Sequence, residues 1–102
     1  NTLVILDDLA LPIDTLRLRS GGSHAGHNGL KHIDETLQTN QYPRLRFGIG
    51  SNFPKGRQIE FVLGRWSPSE LVVVKEKILK SIDVIESFAT QGVAKTMSLF
   101  NR

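Results

Sequence analysis

Apolar and polar positions alternate with two different periods along this chain, and the changes of period mark its elements. Leu3 to Leu6 is a short apolar run closed by Asp7-Asp8, the pattern of a buried strand. Thr15 to Arg19 alternates, with Leu16 and Leu18 on one side and Arg17 and Arg19 on the other. Arg44 to Ile49 does the same, with Leu45, Phe47 and Ile49 opposite Arg44 and Arg46. Leu30, Ile33 and Leu37 recur at helical spacing. The clearest helix opens at Ser67: a serine N-cap, Pro68 at the first helical position, and Glu70 placed to complete a capping box. Its predicted buried stripe is Leu71, Val74, Ile78, Ile82, Ile85 and Phe88, and Gly92 is its stop. A short final helix is expected from Val93 to about Phe100.

Between these elements lie a loop after Asp7-Asp8, a glycine-rich loop from Ser20 to Gly29, a turn from Thr39 to Pro43, and an exposed loop from Gly50 to Gln58. Ile59 to Leu63 is apolar but of no assignable type. Strands interleaved with helices indicate an α/β layer fold. The sheet is thin, and the chain opens inside a strand. Both features predict that residues 1–102 are a single partial domain whose N-terminal part is absent.

Composition narrows the function classes. Apolar residues make up 39% and charged residues 23% of 102 residues, a globular balance. Without cysteine, disulfides and thiolate metal sites are excluded. No apolar run reaches the roughly 20 residues of a membrane span. The net charge of +3 is too small to identify a partner; its placement says more.

Four constellations carry candidate chemistry. The loop Ser20 to Gly29, with Gly21, Gly22, Gly26 and Gly29, precedes a helix N-terminus that could meet a phosphate or an oxyanion. It matches neither a Walker loop nor a dinucleotide fingerprint, and a plain flexible connection is the simpler reading. His24, His27 and His32 lack metal-ligand spacing, so no metal site is expected. Asp7 and Asp8 end a strand, where an acid either orients a histidine or caps a turn. In an extended chain they point apart, which predicts one functional and one solvated acid. Finally, Arg17, Arg19, Arg44 and Arg46 form a basic stripe if their strands are neighbours, suited to phosphate, with Lys55 and Arg57 extending it. Ordinary surface charge paired with acids is the competing reading.

Taken together, Asp7-Asp8-Leu9-Ala10-Leu11-Pro12, Arg17-Leu18-Arg19, Gly26-His27-Asn28-Gly29-Leu30-Lys31, Arg44-Leu45-Arg46-Phe47-Gly48-Ile49-Gly50 and Phe61-Val62-Leu63-Gly64 resemble the second half of bacterial-type peptidyl-tRNA hydrolases. The resemblance covers nearly the whole chain. It implies part of a three-layer α/β/α fold with a mixed sheet. It also implies a cytoplasmic enzyme that hydrolyses the ester between peptide and tRNA, with peptidyl-tRNA as partner and no cofactor or metal. Residue by residue, it implies that Asp7 orients a general-base histidine and that Asn28 binds substrate or the oxyanion. Arg19 and Arg46 would grip tRNA phosphate. His27, Arg17 and Arg44 are further tRNA-binding candidates.

The family's opening strand, its Asn-Pro-Gly word and the catalytic histidine after it have no counterpart here. The resemblance therefore implies an active parent, expected to be monomeric, and an inactive fragment; a structural rival, compatible with it, is a fragment that self-associates through an exposed sheet edge. The alternative is a non-catalytic RNA-binding homologue acting in RNA splicing; retention of Asp7 and Asn28 favours the catalytic line.

Overall fold

The structure, a computed structural model, describes residues 2–51 and 64–101. Most of the expected Gly50–Gln58 loop with Lys55 and Arg57, the Ile59–Leu63 stretch and the start of the Phe61–Gly64 word lie outside those residues. Three strands, β1 (Val4–Asp8), β2 (Leu16–Arg19) and β3 (Arg44–Gly48), form one sheet in the order β1-β3-β2. β3 runs parallel to β1 and antiparallel to β2, so the sheet is mixed. Three helices accompany it: α1 (Asn28–Leu37), α2 (Pro68–Gln91) and α3 (Val93–Phe100).

The register explains the alternation. Leu16 stands opposite Phe47 and Leu18 opposite Leu45, all on one face; Arg17 stands opposite Arg46 and Arg19 opposite Arg44, on the other. On the leucine face Leu16, Leu18, Leu45 and Val84 form the core, joined by Leu3, Phe47, Val93, Met97 and Phe100. Burying each Leu or Val there contributes roughly 1.5–3 kcal/mol relative to exposure. On the arginine face the glycine loop crosses the sheet. Arg44 donates to the Gly22 carbonyl at 3.1 Å, and Arg46 makes a longer 3.4 Å contact to that of Ser23.

α2 begins as its sequence dictates. The Ser67 hydroxyl accepts from Glu70 N, the Glu70 carboxylate accepts from Ser67 N, and Pro68 opens the first turn. The Ser67 backbone N–H, and after it the Ser67 side chain, lower the pKa of the Glu70 carboxyl they face. Its buried face differs from the predicted stripe. Val74, Lys77, Val84 and Ser87 are buried, whereas Ile78, Ile82 and Ile85 are exposed. At 3.6 residues per turn the observed face is rotated by about a quarter turn.

Polar anchors account for the rotation. The Lys77 ammonium donates to the carbonyls of Ile13 and Gly48 and sits 3.8 Å from the centre of the Phe47 ring. The Ser87 and Thr96 hydroxyls bond at 2.8 Å, tying α2 to α3. At the outer edge of β2, the Asn101 side chain donates to Leu18 O at 2.7 Å and accepts from Leu18 N at 2.8 Å.

Candidate active site at the carboxyl ends of β1 and β3

Because β1 and β3 are parallel, their carboxyl ends share one edge of the sheet, where α/β folds gather ligands. Gly48 closes β3 there. A Cβ at this position would lie 2.1 Å from the Pro12 carbonyl oxygen and 2.9 Å from that of Leu11, so glycine admits the loop after β1. Ile49 N donates to Asp8 O at 3.0 Å, and Gly50 N to Leu11 O at 2.8 Å. The loop is pinned to β3, and the acidic pair with it.

The two acids diverge, but neither is simply solvated, which corrects the expectation of one functional and one solvated acid. Asp8 lies on the arginine face. Its Oδ2 pairs with Arg46 at 3.3 Å and its Oδ1 accepts from Ala10 N at 2.8 Å. Its side chain is 12% exposed, against 43% for Asp7. Asp7 instead meets His27, with Oδ1 and Nε2 at 3.1 Å.

His27 is the N-cap of α1, and its Nδ1 accepts the Leu30 N–H at 3.0 Å. With Nδ1 accepting, the ring proton belongs on Nε2, which donates to Asp7. Both nitrogens are then committed. The pair has the look of a His–Asp catalytic dyad, yet no lone pair remains to take a proton from water. His24 and His32 lie elsewhere: His24 Nδ1 accepts from Gly26 N at 3.0 Å, and His32 is exposed on α1. Among the described residues no three His, Asp or Glu side chains converge to hold a metal ion.

Asn28 is the first residue of α1 and is exposed beside the Asp7–His27 contact. Asp7, next to last in β1, and the N-terminus of α1 thus meet through His27. The glycine loop before them is not a loose connection. Gly22 N donates to Asn40 O at 3.0 Å, Ala25 N to Ser23 Oγ at 3.1 Å, and His27 N to His24 O at 2.9 Å. Ala25 and Gly26 take left-handed backbone angles, φ 49° and 81°, to make the turn into the helix.

The basic stripe is real as geometry, because β2 and β3 are neighbours, but its members differ. Arg44 is wholly buried. Its guanidinium donates to Asn40 O at 2.7 Å, Gly22 O at 3.1 Å and Tyr42 O at 3.4 Å, and lies 4.4 Å from the centre of the Tyr42 ring. An arginine spent on internal carbonyls is out of reach of a tRNA phosphate, so Arg44 is corrected from a binding candidate to the anchor of the glycine loop. Tyr42 in turn bonds Asp34 on α1; burial first, and then that carboxylate, raises its phenol pKa. Arg19 is exposed, with no acid partner among the described residues. Arg46 reaches the surface with its charge balanced by Asp8.

Comparison with known proteins shows the family. The family model described as peptidyl-tRNA hydrolase matches residues 1–102. The chain is 52% identical to a peptidyl-tRNA hydrolase of Phocaeicola vulgatus over 100% of this chain and 54% of that protein. To one from Synechocystis it is 46% identical, over 99% of this chain and 52% of that protein. The solved peptidyl-tRNA hydrolase of Acinetobacter baumannii aligns with a TM-score of 0.84 at 30% identity, covering 94% of this chain and 48% of that one. The chain spans about half the length of the relatives it matches. Matched from first residue to last, it belongs to the peptidyl-tRNA hydrolase family.

Proposed function

We propose that the full-length protein containing these residues hydrolyses the ester joining a peptide to the 3′ end of tRNA, in the cytoplasm and in the service of translation. The observation that carries this reading is the Asp7–His27 bond, which brings a strand-end carboxylate to the head of α1 beside Asn28. His27 takes Oδ1 and leaves Oδ2 to accept an N–H from the general base, a histidine outside these residues. That base removes a proton from water as it attacks the ester carbonyl. The Asn28 amide donates toward the ester oxygen, where negative charge develops. Arg19, exposed on β2, and Arg46, at the strand beside it, hold tRNA phosphate, with Arg17 between them. No metal or cofactor enters these steps.

Peptide release from peptidyl-tRNA tests the reading. The full-length protein is expected to turn over. Residues 1–102 alone are expected not to, since general acid–base catalysis supplies typically about 10²–10⁴-fold. Turnover by residues 1–102 at the full-length rate would put the base inside this chain and overturn the assignment.

A further inference from the structure

We infer that His27 is a positioning residue: its ring, held by the helix it caps, fixes the orientation of the Asp7 carboxylate. The catalytic consequence rests on the function proposed above; the geometry does not. A lone carboxylate at the end of a strand can rotate about its terminal torsion. Here the ring bridges two elements, accepting from Leu30 N on α1 at 3.0 Å and donating to Asp7 Oδ1 on β1 at 3.1 Å. The cap bond selects the tautomer, because Nδ1 must carry a lone pair for it to form. Histidine is not among the favoured N-cap residues, Ser, Thr, Asp and Asn. A cap chosen for the helix alone would be one of those, and none would present a second donor to Asp7 at this distance. Room for the ring comes from Gly29, where a Cβ would stand 3.2 Å from His27 Cε1 and 3.5 Å from Nδ1.

Two substitutions separate the roles, because the Asn carboxamide reaches where Nδ1 lies and the Gln carboxamide where Nε2 lies. In the full-length protein, His27→Asn keeps the cap and loses the Asp7 contact. It is expected to fold with near-wild-type thermal stability while kcat falls roughly tenfold or more, the scale seen for groups that orient metal-bound histidines. KM is expected to hold. His27→Gln restores a donor to Asp7, recovering most of kcat at a lower melting temperature. Nitrogen NMR of the wild-type ring is expected to show Nε2 protonated and Nδ1 accepting.

Wild-type kcat in His27→Asn, equal loss in both variants, a rise in KM alone, or the opposite tautomer would each overturn the inference. Failure of the wild-type protein to hydrolyse peptidyl-tRNA would sink the proposed function instead, while the tautomer measurement would still decide the geometry.

Discussion

Arg17 and Arg46 stand directly opposite each other on β2 and β3, and each keeps a buried Nε with no partner among the described residues. Asp8 balances Arg46. Arg17 has no acid partner among the described residues. Like charges placed across a strand pair cost about 0.2–1 kcal/mol. Arg17→Gln is therefore expected to leave the fold as stable or more so, by up to about 0.5 kcal/mol. If Arg17 contacts phosphate, the same change weakens tRNA binding and lowers the salt slope by roughly 0.7–0.9. A clear loss of stability in urea would show that Arg17 serves an internal network.

Arg19 and Arg44 are cross-strand partners with opposite fates, and paired substitutions expose the difference. Arg44→Ala leaves the Gly22 carbonyl without its donor and takes one of two donors from the Asn40 carbonyl, and it empties a wholly buried side-chain site. It is expected to cost roughly 2–4 kcal/mol of folding stability. Arg19→Ala is expected to change stability by less than about 0.5 kcal/mol, yet to weaken tRNA binding and flatten its salt dependence. Denaturation and binding titrations at several salt concentrations check both. Equal effects on binding with no effect on stability would undo the distinction.

Lys77 gives a pH dependence of defined sign. Burial lowers its pKa from 10.5 to about 8, with Asp14 opposing the shift. Between about pH 8 and 10.5 the folded chain has released this proton and the unfolded chain still binds it. Stability from this group therefore rises with pH across that window and is flat below it, by on the order of 3 kcal/mol at most. The two carbonyls and the Phe47 ring favour the ammonium and reduce the change. Urea midpoints from pH 7 to 10.5 test this against Lys77→Met, in which the rise should vanish. A rise that survives the substitution belongs to other groups.

Gly48→Ala is expected to destabilise by roughly 1–3 kcal/mol or more, because the new methyl lands on the Pro12 carbonyl and must push the loop after β1 away. Since that loop pins the acidic pair, turnover of the full-length protein should fall beyond what the loss of folded material explains. Activity normalised to folded fraction is the measurement, and an unchanged normalised rate would separate the loop from the site.

Much of this architecture is legible in the sequence, and the failures have physical causes. Period-2 alternation placed Leu16, Leu18, Leu45 and Phe47 on one face, and the capping box located the start of α2. Alternation assigns a face but not a depth, so Arg44 and Arg46 read alike although one is buried under the glycine loop. The stripe on α2 followed the isoleucines; nothing in an apolar count signals a lysine drawn inward by two strand carbonyls. The partner of Asp8 depends on register, since Asp8 and Arg46 are 38 residues apart. His27 could be named from the family word, but its pair of hydrogen bonds, from Leu30 N and to Asp7, follows from tertiary placement.

The amide of Asn101 imitates a neighbouring strand at Leu18, offering one donor and one acceptor where an added chain would offer its own. Growth of the sheet past β2 is thereby blocked at its middle, whereas β1 has no strand on its far side among the described residues. Removing that single carboxamide would free the Leu18 N–H and carbonyl to pair with another chain.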